Sequence, residues 1–453
     1  MTVSIALFTA DLRVFDNPML CAAVRGTDEV VPLFVRDPEV DAAGFAAPNR
    51  MAFLADCLAA LDAALRERGG RLIVRSGDVV REVLDVAAAT DASVVHMSSG
   101  VTGFARRRAR RLRDALGAEQ RTLIEHDEVI TVIAPGAITP QGSDHFAVFT
   151  PYYRRWCDSP LRAVLRPPRS VRVPTVVRSE ALPDRTLVTG VSPGLARGGE
   201  EQARRRLSGW LQRGITAYED THDDLAGDAT SRLSPYLHFG ALSPVEAVHR
   251  ASQDGSAGAQ AFVRQLAWRD FHHQVLAARP QAAHDDYQPR GDRWQATPEE
   301  VQAWREGRTG YPIVDAAMRQ LAHEGWMHNR GRLLAASFLT KTLYADWRLG
   351  AAHFLDLLVD GDIANNQLNW QWVAGTGTDT RPNRVLNPLT QAQRHDPDGE
   401  YVRRWVPELA DIPGAAIHQP WRLPGLERAR YDYPDPLVDL GEGRLRFLNG
   451  RGK

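Results

Sequence analysis

The chain has 453 residues, of which 55 are basic and 56 acidic, and its formal net charge at pH 7 is −1. This length allows two or three domains, and the balanced charge excludes a globally basic nucleic-acid-binding protein, although one positive face would suffice to bind DNA. The three cysteines show no metal-ligand spacing, and the first segment lacks the charges of a secretory signal. No apolar run reaches membrane-spanning length. Together these features indicate a cytoplasmic protein.

Short apolar runs alternate with alanine-rich amphipathic segments in the first third of the chain. We predict strands at SIALFT, VVPLFV, RLIVRS and SVVHMS, and a helix from Met51 to Arg68, where apolar residues recur at spacings of three and four. Buried strands separated by helices predict a parallel sheet covered on both faces, as in a Rossmann-like α/β domain. No GxGxxG fingerprint follows the first strand, so the sequence does not support dinucleotide binding there.

The remaining two thirds of the chain have a different pattern. A segment rich in Pro, Arg, Val and Ser, from about Pro151 to Gly199, shows little periodicity and is typical of a long connection. From Glu200 onward we predict an all-α region. The helices expected there are Glu201–Arg213, Pro244–Ser252, Ala261–Ala278, Ile313–Glu324, Arg330–Leu343 and Ala351–Leu358. The prediction is therefore an α/β domain at residues 1–135, an interdomain connection at 136–200 and a large helical domain at 201–453.

Two polar motifs in the helical half indicate ligand contacts. The segment TSRLSP, at Thr230–Pro235, predicts a helix N-terminus whose free N–H groups and Arg232 would bind an anion, and ordinary helix capping is the alternative. Gln265, Trp268 and Arg269 share one face of a predicted helix. An amide, an indole and a guanidinium on one face suit a nucleobase and its phosphate, and the alternative is a surface helix with one buried indole.

The most informative segment is DGDIANNQLNWQWVAGTGTD, which begins at Asp360. Its first thirteen residues contain two aspartates, three asparagines and two tryptophans: Asp360, Asp362, Asn365, Asn366, Asn369, Trp370 and Trp372. Buried acids and amides require hydrogen-bond partners, and a planar polar cofactor would supply them. Tryptophan has an easily oxidised ring, so the segment suggests redox chemistry beside a planar ligand. Arg332 is a candidate ion-pair partner for these acids, and the alternative is a simple basic cluster at a helix end.

Six motifs follow one another along the helical half: TSRLSPYLHFG, LAWRDF, GRTGYPIVDAAMRQL, GWMHNR, DGDIANNQLNWQW and AGTGTD. Their order and spacing resemble the photolyase/cryptochrome family, and are most similar to its class I cyclobutane pyrimidine dimer photolyases. The resemblance covers essentially the whole chain. It implies an N-terminal antenna domain followed by a helical domain that binds FAD.

The same resemblance implies which residues contact the FAD. Arg332 and Asp360 are expected to form an ion pair beside the isoalloxazine. Asp362 is expected to face the flavin or the ribose, and Asn366 to lie at flavin N5, where an amide tunes the redox state. The other expected cofactor-binding residues are Gly361 and, on the diphosphate side, Tyr218, Thr230, Ser231, Arg232, Leu233 and Ser234.

Electron-transfer and DNA-binding residues also follow from the resemblance. Trp370, Trp347 and Trp294 match the family's electron-carrying tryptophan chain, whereas Trp304 is expected to be structural. Trp268 and Trp372 match the pair that embraces a flipped-out pyrimidine dimer. The other expected contacts with the lesion or the DNA are His222, Gln265, Arg269, Asn329, Arg330, Arg384 and Gln391.

The implied function is light-driven repair of cyclobutane pyrimidine dimers by electron transfer from photoexcited reduced FAD. Three substrate-side positions depart from the family's pattern: Gln265 stands where glutamate is usual, Leu333 where methionine is common, and His222 where arginine is frequent. A 6-4 photolyase would need histidines at Asn329 and Leu333. The alternative from a different class is a cryptochrome that signals without repairing DNA.

The antenna chromophore is the least specified part of the resemblance. The loop SSGVTGFARRR lacks the acidic residue of folate-binding relatives, so 8-hydroxy-5-deazaflavin is favoured over folate, and absence of an antenna is the third alternative. The arginine-rich run Arg106–Arg113 is expected to be a solvated helix face rather than a DNA groove. We expect a monomer that binds ultraviolet-damaged DNA and no membrane.

Overall fold

The computed structural model describes residues 1–451 and begins with a five-stranded parallel sheet. Its strands are β1 (Val3–Leu7), β2 (Glu29–Arg36), β3 (Ile73–Ser76), β4 (Val94–Ser98) and β5 (Thr122–His126). The order across the sheet is β3-β2-β1-β4-β5, so the sheet grows in one direction from β1 to β3 and then in the other from β1 to β5. Ile5 of β1 pairs with Val31 on one side and Val95 on the other.

The four predicted strands are confirmed, and a fifth is added. Every residue of β1 is buried, as expected of a central parallel strand covered on both faces. The sequence TLIEH of β5 was not predicted as a strand. Within residues 1–451 it pairs only with β4 and leaves its side chains partly exposed, so it lacks the continuous apolar run of the inner strands.

Within residues 1–451 the chain forms twenty α-helices, of which the first five lie between the strands of the sheet. Those up to the start of the helical half are α1 (Pro18–Val24), α2 (Pro38–Ala42), α3 (Pro48–Arg66), α4 (Val79–Thr90), α5 (Gly103–Ala118) and α6 (Phe149–Asp158). The next are α7 (Glu200–Arg213), α8 (Tyr218–Thr221), α9 (Ser234–His238), α10 (Pro244–Ala251), α11 (Ala257–Ala278), α12 (Pro298–Arg305) and α13 (Pro312–Glu324). The last are α14 (Asn329–Ser337), α15 (Trp347–Leu357), α16 (Ile363–Ala374), α17 (Pro388–His395), α18 (Glu400–Trp405), α19 (Gly425–Arg428) and α20 (Leu440–Gly450).

The predicted helices are present, with one difference that bears on the site. The single helix expected at Arg330–Leu343 is α14 followed by a π-helical segment, Phe338–Leu343. This segment ends at Tyr344, whose φ of 61° is left-handed. Periodicity could not reveal the change because all six residues of the segment are buried, polar ones included, so no apolar face marks its turn.

The sheet and the helical half share a continuous apolar core. The largest cluster joins Phe53 of α3, Tyr152 of α6 and Phe271 of α11. A second cluster lies within the helical half and contains Trp304, Trp347 and Trp370. Within residues 1–451, no helix combines the length and the apolar character that a membrane crossing requires.

Candidate functional site

A cavity of about 490 Å³ lies among the helices of the second half. Its walls come from α8, α9, α11, α14 and α16 and from the turns before them, which brings together residues more than 150 positions apart. The predicted site residues that line it are Tyr218, His222, Thr230, Ser231, Arg232, Leu233, Ser234, Gln265, Trp268, Arg269, Asn329, Arg330, Arg332, Asp360, Asp362, Asn366, Trp370 and Trp372. The cavity therefore unites most of the residues singled out from sequence.

Five predicted site residues lie outside the wall of this cavity. Gly361 separates two lining aspartates without lining the cavity itself, and Trp294 and Trp347 pack in or against the helical core behind it. Arg384 lines a smaller neighbouring cavity. Gln391 lies on α17 and is part of neither wall.

An ion pair stands on the buried side of the cavity. Arg332 Nη2 donates to both carboxylate oxygens of Asp360, at 3.1 and 2.8 Å, and its Nε donates to the Met327 carbonyl at 2.9 Å. Asp360 is buried, so the guanidinium supplies the partner without which its charge would be costly. This is the pairing expected from the sequence.

Asp362 caps α16 and anchors a chain of hydrogen bonds that faces the cavity. Its Oδ1 accepts from the backbone N–H of Asn365 at 2.7 Å and from Asn365 Nδ2 at 2.8 Å. Burial raises the pKa of Asp362, but the charges of His273 and Arg269 outweigh burial and hold the pKa well below 3.8. The carboxylate is therefore ionised at neutral pH. Because Asn365 Nδ2 donates to it, Asn365 Oδ1 is left to accept from His272 Nδ1, 3.0 Å away.

Unpartnered buried polar atoms in this wall test whether a ligand such as FAD fits. Burial lowers the pKa of His272 to about 4, so the ring is neutral, and with Nδ1 donating, Nε2 is an acceptor. That Nε2 and the Thr230 hydroxyl are buried without a protein partner within residues 1–451. Buried polar groups are normally satisfied, and the volume lies within the range of cofactor cavities. The residues present thus fit a polar ligand with donors and acceptors on its ring and sugar.

Asn366 presents only its carbonyl oxygen to a ligand. Its Nδ2 donates to the Ala351 carbonyl and to Gln367 Oε1, both at 3.1 Å. Since both amide protons have protein acceptors, Oδ1 is the group that remains to accept a proton from a ligand.

The TSRLSP segment lines the cavity, but the arginine of its predicted anion site is paired with acidic side chains. Arg232, at a left-handed φ of 49°, pairs with Asp228 at 2.6 Å and with Glu324 at 3.0 Å, and its guanidinium lies 4.2 Å from the Trp326 ring centroid. The helix after it has Leu233 at its N-cap and no capping side-chain bond. The geometry therefore neutralises the arginine instead of leaving it free for an anion.

The mouth of the cavity is aromatic. Trp268 stacks one face on Phe149, with ring centroids 3.7 Å apart and planes 6° from parallel, and it lines the cavity with Trp372. Gln265 and Asn329 are exposed beside them, so their amides are available to a ligand that enters from solvent.

Two of the predicted DNA-binding arginines are engaged within the protein. Arg330 Nη2 pairs with Asp223 at 2.5 Å, a partner that sequence did not indicate. Arg269 Nη1 donates to the Ile130 carbonyl at 2.5 Å, in the segment after the sheet. Both partners are more than 100 residues away, and no local pattern could have revealed them.

The tryptophans behind the cavity differ in their surroundings. The Trp370 ring is buried, with centroids 4.9 Å from Phe354 and 6.0 Å from Trp304. Trp347 is fully buried, and its Nε1 donates to Asp286 at 2.8 Å. Trp294 is partly buried, 4.9 Å from the ring of Tyr344.

Comparison with known proteins agrees with this architecture. The family model for DNA photolyase matches residues 4–171, and that for the FAD binding domain of DNA photolyase matches residues 262–451. The deoxyribodipyrimidine photo-lyase of Streptomyces griseus is 65% identical over 453 residues, which is 100% of both chains. A bacterial class III photolyase from Agrobacterium tumefaciens superimposes with a TM-score of 0.92 at 34% identity, covering 99% of this chain and 96% of that one. A cryptochrome from Synechocystis sp. PCC6803 gives the same TM-score at 28% identity, with 99% of each chain covered.

The helical half, which holds the cavity, is therefore an FAD-binding domain, and the parallel sheet before it has the fold of the same relatives. Identity of 65% over the full length is far above what a shared fold alone requires. The chain belongs to the DNA photolyase family.

Proposed function

We propose that this protein repairs cyclobutane pyrimidine dimers in ultraviolet-damaged DNA with light, using FAD bound in the central cavity. The observation that carries the proposal is one cavity with a buried polar side and an aromatic mouth. Asp360, Asp362 and Asn366 lie on the buried polar side, and Trp268 and Trp372 lie at the aromatic mouth. FAD bound there would supply the group that absorbs light and donates an electron to the lesion.

The buried side has the chemistry to hold FAD. Asn366 Oδ1 would accept from a ring N–H of the cofactor, and His272 Nε2 and the Thr230 hydroxyl would offer further polar contacts. The Arg332–Asp360 pair would offer the ring system a guanidinium without adding net charge. We assign cofactor contacts to Tyr218, Thr230, Ser231, Leu233, Ser234, Arg332, Asp360, Gly361, Asp362 and Asn366, whereas Arg232 shapes the wall.

The aromatic mouth suits a pyrimidine dimer that has left the DNA stack. Trp268 has one face covered by Phe149, which fixes its ring and leaves the opposite face for a base. Gln265 and Asn329 would hydrogen-bond base edges. With Arg269 and Arg330 engaged within the protein, we assign phosphate contacts chiefly to Arg384, and secondary contacts to His222 and Gln391.

Trp370, Trp347 and Trp294 form the proposed route by which electrons reach the cavity from the protein surface. Trp370 lines the cavity, Trp347 lies in the same buried cluster, and Trp294 is the most exposed of the three. The Asp286 carboxylate accepts from Trp347 Nε1 and also pairs with Arg348, whose guanidinium lies 4.7 Å from the same ring centroid.

We also propose the division into an antenna domain at residues 1–135, a connection at 136–200 and an FAD- and DNA-binding domain from residue 201, acting as a monomer. At the carboxyl end of the sheet, Asp37 Oδ2 and Arg108 Nε are buried without partners within residues 1–451. Arg108 thus turns inward, unlike the exposed arginines that surround it on α5. An aromatic antenna such as 8-hydroxy-5-deazaflavin would satisfy these groups, and we favour it over folate or no antenna.

The decisive experiment illuminates the purified holoenzyme with oligonucleotides that carry either one cyclobutane dimer or one 6-4 product. We expect restoration of the first alone. Restoration of the 6-4 product would reassign the lesion, and restoration of neither by FAD-loaded protein would favour the cryptochrome alternative. Trp370→Phe should abolish photoreduction of oxidised FAD while chemically reduced enzyme still repairs the dimer.

A further inference from the structure

Lys341 is a buried cation outside the cavity that the proposed repair reaction does not use. Only two of the 55 basic residues in the chain are lysines, and Lys341 is buried, with 1% of its surface exposed. It lies in the π-helical segment Phe338–Leu343, and π-helical turns often occur at functional positions.

The ammonium group of Lys341 holds a loop that has no helix or strand of its own. Its Nζ donates to the carbonyl of Pro382 and, at 3.1 Å, to the carbonyl of Arg384. A second bond involves Ser337, four residues before Lys341, whose Oγ accepts from the backbone N–H of Leu386 in the same loop at 3.1 Å. We call residues 379–386 the rim loop. Two neighbouring side chains therefore tie both its middle and its end to the core.

The rim loop forms one wall of a second cavity, of about 160 Å³, beside the mouth of the first. Asp379, Arg384 and Leu386 come from the loop, while Arg330 and Trp372 line both cavities. The loop thus sets the distance between an exposed arginine and the tryptophan at the mouth.

The hydrogen bonds from Lys341 to the rim loop require a polar donor in a buried environment. Burial lowers the pKa of Lys341 to about 7, and the charge of Arg451 lowers it further, whereas Asp379 and Asp292 act in the opposite direction. The ammonium is held in the interior by two carbonyl oxygens and lies 5.0 Å from the Phe447 ring centroid. An aliphatic side chain of the same length would leave both carbonyls without their donor.

We propose that Lys341 is a positioning residue for damaged-DNA recognition, fixing the rim loop so that Arg384 and Trp372 present a preformed surface to the lesion-containing strand. The inference rests on the proposed function, because it assigns the rim loop to the same mouth. Preorganisation of this kind strengthens binding without taking part in the chemistry. Lys341 does not line the FAD cavity, so its replacement should leave FAD content unchanged.

The test compares Lys341→Met with the wild-type holoenzyme on a dimer-containing oligonucleotide. We expect KM, and the Kd measured in the dark, to rise about tenfold, while kcat at saturating DNA stays within about twofold. The Arg384–Val385 bond should also become a site of rapid trypsin cleavage, detected as a fragment that begins at Val385. Lys341→Arg, which keeps a cation with several donors, should recover most of the lost affinity.

Two further variants separate positioning from general stability. Arg13→Met removes another buried cation bonded to backbone carbonyls, none of which lies on the rim loop, and should change neither KM nor cleavage at Arg384. Ser337→Ala removes only the second tie and should shift both readouts in the same direction as Lys341→Met, which keeps the test valid if Lys341→Met does not fold.

Unchanged KM and unchanged cleavage in Lys341→Met and Ser337→Ala would overturn the inference, as would a loss confined to kcat or FAD content. Failure of the wild-type protein to repair any dimer would instead refute the proposed function, whereas the cleavage readout does not depend on repair. The two failures are therefore distinguishable.

Discussion

Gly350 is a position where one added methyl group should perturb the proposed electron route. It lies in α15, against the indole of Trp370, and a Cβ at this position would be 2.5 Å from Trp370 Cζ3 and 2.6 Å from Leu339 Cδ2. Carbon atoms in contact normally lie about 3.5–4.0 Å apart, so the ring or the helix must move by about 1 Å. Overpacking costs about 1–3 kcal/mol, whereas replacing a helical glycine with alanine contributes about 0.5–1 kcal/mol of stability.

We therefore expect Gly350→Ala to lower the free energy of unfolding by about 1–2 kcal/mol. Urea unfolding followed by circular dichroism measures the change. The matched control is Gly117→Ala on α5, where an added Cβ meets nothing within 4 Å, and it should stabilise the protein slightly. Displacement of Trp370 should also slow photoreduction of oxidised FAD in Gly350→Ala alone. If both alanine variants are stabilised equally, the packing argument at Trp370 is wrong.

Three further outcomes test the buried polar groups. Asp360→Asn should reduce the FAD bound per protein, measured by absorbance, because the Arg332 guanidinium loses its counter-charge; undiminished occupancy would contradict a cofactor role for the pair. Asp315→Ala should lower the free energy of unfolding by about 3 kcal/mol or more, because this fully buried carboxylate accepts four hydrogen bonds from neighbouring residues. A change below about 1 kcal/mol in urea unfolding would refute that role. Asp362→Asn should lower the free energy of unfolding at about pH 6, and lower it less at about pH 3. The pKa of Asp362 in the folded protein lies below 3.8, so its carboxylate contributes its full stabilisation above pH 3.8 and loses it as the pH falls through the folded pKa. A stability difference that grows on acidification would contradict the sign of that shift.

The amino-acid sequence determined the local elements and the identity of the site. Apolar periodicity gave four of the five strands and the main helices, because inner strands and amphipathic helices carry their burial pattern within a few residues. The polar density from Asp360 to Trp372 indicated a planar ligand, and its side chains line the cavity with the residues of the TSRLSP and LAWRDF motifs.

Only the tertiary structure decided which charged groups are free. Arg232 pairs with Glu324 and Arg330 with Asp223, whereas Arg269 donates to the backbone carbonyl of Ile130, and each partner comes from a distant part of the chain. The same is true of Lys341, whose partners lie on the rim loop. A side chain's type and spacing report what it can bind, but its actual partner depends on which segments the fold brings within about 3 Å, and that is set by long-range packing.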